Sequence, residues 1–353
     1  MIKVGYLSDF PFFIAFGGKE IQLLSYMEHI NNGNYDVKVK LLDLYNMNED
    51  YDIIHLFGYS NWFYDIVKNI KNNFPNVKIF ISPTFYYESE NKMYIGSLVS
   101  SFCPIPNFFY YKNFFLTNSD LIIVNSNAEK NQLIKLFRIS KNKIEVIYNY
   151  IESDFFIFEN RENIDLFLKK YGLNKDEYFI SVAFLDERKN TLRLLKAFLE
   201  VYPIVKKKLV LVGKYRFRNN EVKNEVEKLI KNNKDKILHI DYIDRKSDLL
   251  KSAYLNCKAH LLPSYLETPG LSTLEAGLFK KPVLVGKCKP VEEYFGNKVV
   301  YCDPNSIESI KSGILKVNRQ DQNIDLFNLI KERYSEKESI EKLVRLYLLS
   351  LGN

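Results

Sequence analysis

The chain has 353 residues, 46% hydrophobic and 26% charged, which is the composition of an ordinary globular protein and excludes a disordered or collagen-like one. A single core rarely grows past roughly 250–300 residues, so two domains are expected. The net charge of +7 comes with no Lys/Arg block, so a nucleic-acid-binding arm is excluded and an anionic small ligand or an acidic surface remains open.

No apolar run approaches the roughly eighteen residues that a membrane-spanning helix needs. The opening stretch, MIKVGYLSDF, enters a strand directly and lacks the apolar core of a signal peptide. A cytoplasmic protein is therefore expected, with a peripheral contact on the inner membrane face as an option. Cys103, Cys257, Cys288 and Cys302 show neither CxxC spacing nor histidine partners, which predicts buried, reduced thiols.

In chain order, Ile2 to Leu7 form a first strand, and Gly17-Gly18-Lys19-Glu20 opens a helix with Ile21, Leu24 and Met27 on its apolar face. Two glycines between strand and helix let backbone approach a ligand closely, although Glu20 rules out a P-loop. Val37–Leu44 and Ile53–Phe57 are further strands, with His55 as a satisfied core histidine, and Trp62–Phe74 is a helix. Val77–Ile81 is a fourth strand. Residues 102–115, FCPIPNFFYYKNFF, hold Pro104, Pro106 and a dense aromatic cluster. They are expected to cover the sheet; the alternative is an acceptor or membrane-interface surface with Lys112 beside the aromatics. Leu121–Val124 is a strand, Asn125-Ser126-Asn127 caps the helix Ala128–Phe137, and Ile144–Ile147 is a sixth strand.

The polar stretch Glu159–Asp165 marks the predicted boundary, giving domains at 1–155 and 160–335. After it the alternation restarts: strand Tyr178–Ala183, helix Asn190–Val201, strand Leu209–Val212, helix Val222–Asn232, strand Ile237–Ile240 and helix Ser247–Leu255. Two α/β halves, each doubly wound, are the simplest reading.

The segment Leu261–Gly286 carries the chemistry. A buried strand ends at Pro263, and Leu271, Leu274, Ala276 and Leu278 recur at helical spacing after Gly270. Another strand, Pro282–Val285, follows. The loop thus lies at the carboxyl edge of a parallel sheet, where such folds bind ligands. Glu267 precedes the helix and Glu275 lies within it. The N–H groups of Leu271, Ser272 and Thr273, at the helix start, are expected to be without intrahelical partners and able to hold a diphosphate.

The run Ser264-x-x-Glu267-Thr268-Pro269-Gly270-Leu271-Ser272-x-Leu274-Glu275-Ala276 resembles the donor-site motif of family 4 glycosyltransferases. The resemblance implies a retaining, metal-independent enzyme of the GT-B fold, with two Rossmann-like domains facing across a cleft and a terminal helix, 336–353, crossing back to the first. It also implies roles. Glu267 contacts the donor sugar, Glu275 binds the ribose hydroxyls, and Lys189 binds the diphosphate, which Gly17-Gly18 faces from the first domain. The backbone of Gly270 and Leu271 is expected at the sugar. The Gly-Arg pair that the family places after the first strand of the second half, a few residues before the lysine, appears here as Ala183-Phe184, and Arg188 is the expected replacement. The histidine that many relatives carry after the fourth strand is missing as well, leaving Ser82 or Thr84 to offer a hydroxyl. The linker keeps Asn149 but has Tyr150 where the family often has glycine. Asp50-Tyr51-Asp52 looks like the metal-binding Asp-x-Asp of the other large glycosyltransferase fold but directly precedes a buried strand, and is read as strand punctuation.

The expected partners are a nucleotide-diphosphate sugar, with UDP or GDP as the nucleotide, and a glycan, lipid-linked or protein acceptor. The expected setting is polysaccharide or glycoconjugate biosynthesis, with no cofactor, metal or nucleic acid. The competing reading is a GT-B subunit that binds a nucleotide sugar without turnover.

Overall fold

The computed structural model describes residues 1–13, 16–45, 50–87, 93, 96–97, 107–152 and 155–352. Pro104, Pro106 and Cys103 lie outside the described residues. The chain divides into two compact units, Met1–Asn149 with Glu336–Asn353, and Tyr150–Ser335.

The first unit is built on six parallel strands: β1 (Ile2–Ser8), β2 (Val37–Leu41), β3 (Ile53–Phe57), β4 (Lys78–Ser82), β5 (Leu121–Val124) and β6 (Ile144–Val146), in the order β2-β1-β3-β4-β5-β6. Strand β3 is buried at every position, as its unbroken apolar run requires of a central parallel strand. Asp52 sits at its start, giving its N–H to Lys3 O and accepting the Lys3 N–H on its carboxylate at 2.7 Å. That carboxylate joins two strands. His55, fully buried on β3, pairs with the hydroxyl of Tyr347 at 2.6 Å and with Ser82 Oγ at 2.8 Å.

Helix α1 (Gly18–Asn32) buries a different face from the expected one. Leu23, Tyr26 and Ile30 are buried, together with Gln22 and Ser25, whereas Ile21, Leu24 and Met27 lie at its half-buried flanks. The sequence stripe misleads because both faces carry apolar residues, and polar Gln22 goes inward with Leu23. Helices α2 (Phe63–Asn73), α3 (Phe108–Asn118) and α4 (Asn127–Phe137) follow in this unit, the last capped by Ser126 Oγ, which accepts from Glu129 N.

Lys112, on α3, is not a surface cation beside the aromatics. It is 3% exposed, donates to Asn61 Oδ1 at 2.7 Å, and its ammonium rests against the rings of Phe108, Tyr59 and Phe115. Burial pulls its pKa down to about 8, against the opposing pull of Asp9. An ammonium enclosed in this way is withheld from lipid headgroups.

The second unit repeats the plan. Helix α5 (Leu166–Tyr171) leads to β7 (Tyr178–Val182), α6 (Thr191–Val205), β8 (Lys208–Val212), α7 (Asn220–Asn232), β9 (Ile237–Ile240), α8 (Asp248–Asn256) and β10 (Ala259–Leu262). Helix α9 (Leu271–Leu278), β11 (Val283–Gly286), α10 (Lys289–Phe295), β12 (Val300–Cys302), α11 (Ile307–Arg319) and α12 (Ile324–Arg333) follow. Its parallel sheet runs β12-β11-β10-β7-β8-β9, so strand order reverses between β7 and β10. The polar stretch expected as the boundary lies inside this unit, because Asp248 at the start of α8 accepts the N–H groups of Glu159 and Asn160 and the Asn163 amide. Cys257, Cys288 and Cys302 are buried here.

Helix α13 (Glu336–Ser350) belongs to the first unit. Its Tyr347 hydroxyl meets Tyr6 Oη at 2.9 Å as well as His55.

Candidate active site

The reversal point of the second sheet brings two loops together, those after β7 and after β10. Asn190, which caps α6 in the left-handed region at φ +61°, sends its side-chain amide to Pro263 O at 3.0 Å, and Tyr265 N donates to Arg188 O at 2.9 Å. Gly270 begins α9 at φ +90°, a conformation that favours glycine. A Cβ there would also lie 3.3 Å from Glu267 Oε2 and 3.2 Å from Leu262. The turn therefore holds Glu267 close under the helix start.

Glu267 is 7% exposed, and its Oε1 accepts from Lys189 Nζ at 2.5 Å and from Arg188 Nη1 at 3.2 Å. Burial alone would raise its pKa, but the charges of Lys189 and Arg188 outweigh that and hold the carboxyl below its ordinary range. Burial pulls the Lys189 ammonium down in turn, opposed chiefly by Glu267. The structure thus brings three expected site residues, Glu267, Lys189 and Arg188, into one cluster. Arg188 is engaged there, since its Nη1 also donates to Leu266 O at 2.8 Å.

His260, on β10, is fully buried, and burial followed by the Lys189 charge pushes its pKa to about 3, so it is neutral near pH 7. Both of its ring nitrogens, and the Thr273 hydroxyl at the start of α9, are buried without a hydrogen-bond partner among the described residues. Leu271 and Ser272 occupy the first turn of α9 as expected. Thr273 does not offer an open N–H: it donates to Gly270 O at 3.0 Å, because the helix begins with a tight i→i+3 turn.

Glu275 is 3% exposed on α9 and already held on both oxygens. Arg245 Nε donates to Oε1 at 2.6 Å and Tyr254 Oη to Oε2 at 2.8 Å. The other two arms of Arg245 clasp Glu152, at 3.1 and 2.7 Å, and its guanidinium packs 4.9 Å from the Phe155 ring. A carboxylate has about four acceptor sites, so two remain for a pair of ligand hydroxyls. Sequence reasoning missed Arg245, Tyr254 and Glu152. No local motif marks them, for Arg245 and Glu152 stand 93 residues apart.

Gly17 and Gly18 belong to the first unit, at the cap and first position of α1. The Gly17 N–H is taken by Glu20 Oε2 at 2.9 Å, and Glu20 also receives Ser8 Oγ at 3.2 Å and Lys19 Nζ at 3.0 Å. Ser82, one of the two hydroxyls expected in place of the missing histidine, is the residue bonded to His55. Among the described residues no three His, Cys, Asp or Glu side chains cluster as a metal site would require.

Comparison with known proteins agrees in both halves of the chain. Residues 163–333 match the family described as glycosyl transferases group 1, and residues 36–155 match glycosyltransferase family 4. The O-antigen chain mannosyltransferase B of Escherichia coli is 24% identical over 209 residues, 58% of this chain and 53% of its own length. A Campylobacter jejuni enzyme named N-acetylgalactosamine-N,N'-diacetylbacillosaminyl-diphospho-undecaprenol 4-alpha-N-acetylgalactosaminyltransferase is 31% identical over 159 residues, 41% of this chain and 40% of its own length. The matches thus span about half of these relatives. Among solved structures, the Anabaena protein HepE in complex with UDP-glucose has a TM-score of 0.73 at 15% identity, over 99% of this chain and 100% of that one. With two parallel six-stranded sheets and family matches on both sides of their boundary, the chain belongs to the group 1 glycosyltransferases of the GT-B fold.

Proposed function

We propose that the protein transfers a sugar, with retention of configuration and without a metal, from a nucleoside-diphosphate sugar to a glycan, lipid-linked or protein acceptor. The observation that carries this reading is the buried Glu267 carboxylate, paired with Lys189 and Arg188 where the second sheet reverses strand order. Breaking the sugar–phosphate bond leaves extra negative charge on the nucleoside diphosphate. Fixed cations and backbone dipoles placed beforehand stabilise that charge. Lys189 and the N-terminal turn of α9 at Leu271–Ser272 take this role, while Glu267 holds the sugar hydroxyls and stabilises positive charge developing on the ring. Glu275, with two acceptor sites left, receives the ribose hydroxyls, and the Gly270 and Leu271 backbone lines the sugar. UDP or GDP suits such a site. HepE was solved with UDP-glucose, and the Campylobacter relative is named for a diphospho-undecaprenol substrate, which favours a lipid-linked acceptor. Among the described residues no helix is long and apolar enough to cross a membrane. The contact with a lipid-linked acceptor proposed here is a peripheral one, at the cytoplasmic face.

The test is incubation with a panel of UDP- and GDP-sugars, with and without polyprenyl-diphosphate-linked acceptors, in buffer and in EDTA. Product anomers are assigned by NMR. One donor should be turned over, with retention and without loss in EDTA. Glu267→Ala should slow transfer by roughly 10²–10³-fold, the range seen when one transition-state stabiliser is lost. Glu275→Ala should chiefly weaken nucleotide binding. Equal, negligible effects of both substitutions would overturn the assignment.

A further inference from the structure

The cluster around Glu267 has a third cation that the motif does not contain. Past β7 and β8 the two segments stay paired: Leu185 N donates to Lys214 O at 3.0 Å and Arg216 N to Leu185 O at 2.9 Å. Gly213 permits this close approach, for at φ +153° a Cβ would fall 1.9 Å from Ala183 O. The pairing sets Arg216 beside Phe184, with its guanidinium carbon 4.1 Å from the ring centroid. Arg216 Nη2 meets Asp186 Oδ2 at 3.0 Å, and the other oxygen of Asp186 accepts the Lys189 N–H at 2.7 Å. One nearly buried carboxylate thus ties Arg216 to the lysine whose ammonium reaches Glu267.

We infer that Arg216 binds the outer phosphate of the donor diphosphate, the one joined to the sugar; this rests on the donor-site reading above. A guanidinium has five N–H donors, and among the described residues Arg216 gives only one to a side chain. Its side chain is 47% exposed while Asp186 is 6% exposed, so the held end is buried and the open end faces solvent. Arg188, the replacement expected from sequence, directs Nη1 to Leu266 O and Glu267 instead. The fork of an arginine matches a phosphate in two bonds, and an aromatic face beneath it fixes its plane. Phe184 provides that face. Asp186 links Arg216 to the backbone of Lys189, the residue whose ammonium meets Glu267, and on that link Arg216 is assigned to the phosphate next to the sugar. Asp186, Glu267, Arg188, Lys189 and Arg216 together leave one surplus positive charge, which suits an anion.

The experiment measures calorimetric affinities of UDP, UMP, GDP and GMP for the wild type and for Arg216→Ala, Arg216→Gln and Arg216→Lys. The wild type should bind one diphosphate more tightly than its monophosphate. The Ala and Gln variants should lose roughly ten-fold or more of the diphosphate affinity, as for one charge-assisted phosphate contact, with the monophosphate unchanged. Lys should restore part of the loss. An unchanged diphosphate-to-monophosphate ratio, or an equal loss for both ligands, would overturn the role of Arg216 and leave the donor site standing. A wild type that binds none of the four would overturn the donor-site reading itself, and this role with it.

Discussion

Glu267 and Glu275 are both buried carboxylates paired with basic side chains, yet those pairs imply different behaviour. Glu267 has a folded-state pKa below its ordinary value of 4.5, because Lys189 and Arg188 outweigh the effect of burial. The unfolded chain therefore takes up the proton first as pH falls. The stabilisation is fully present above about 4.5 and is lost as pH drops through the lower folded value. Thermal unfolding from pH 7 to 3 should show Glu267→Gln less stable than wild type at neutral pH, with the gap closing in acid. A gap that widens would contradict the pairing. Glu275 instead shares Arg245 with Glu152. Arg245→Met removes the cation that the buried Glu275 shares with Glu152, and breaking a buried pair in this way costs about 3–5 kcal/mol. Urea denaturation should show that loss, and Arg245→Lys, with a single ammonium in place of the fork, should recover little of it.

At the scale of elements, the strand–loop–helix from β10 to α9 was legible because Pro263, Gly270 and the leucine spacing are local signals. The buried face of α1 was not, since a stripe with apolar residues on two sides does not say which one meets the sheet. The partners of Glu275 were also out of reach. Tyr254 and Arg245 come from α8 and the turn before it, and only the fold brings them onto α9. Helix α13 shows the same limit. Its amphipathic pattern could be read, but the hydroxyl of Tyr347 between His55 and Tyr6 could not. Tyr347→Phe keeps the ring and removes both bonds, leaving His55 Nδ1 buried without this partner. A loss of about 1–3 kcal/mol is expected in chemical denaturation. No change would mean that the hydroxyl network does not hold this helix.

On the scale of the whole molecule, each unit is a parallel sheet whose strand order reverses once, and alternating strands and helices in the sequence already implied as much. In the second unit the reversal lies between β7 and β10, and Glu267, Lys189, Arg188 and Arg216 gather at its carboxyl edge. The missing Gly-Arg pair was readable as an absence at Ala183-Phe184. The residue proposed to take its place was not, because Arg216 follows a neighbouring strand, 30 residues from the Asp186 that anchors it. The central claim is that this edge is built for a nucleoside-diphosphate sugar. Isothermal calorimetry with UDP- and GDP-sugars on the wild type and Glu275→Ala tests it most directly. Saturable binding of at least one such donor is expected, weakened by the substitution roughly ten-fold or more, the loss of a charged hydrogen-bond partner under the role proposed for Glu275 at the ribose. Absence of binding by every donor, or binding indifferent to Glu275, would contradict it.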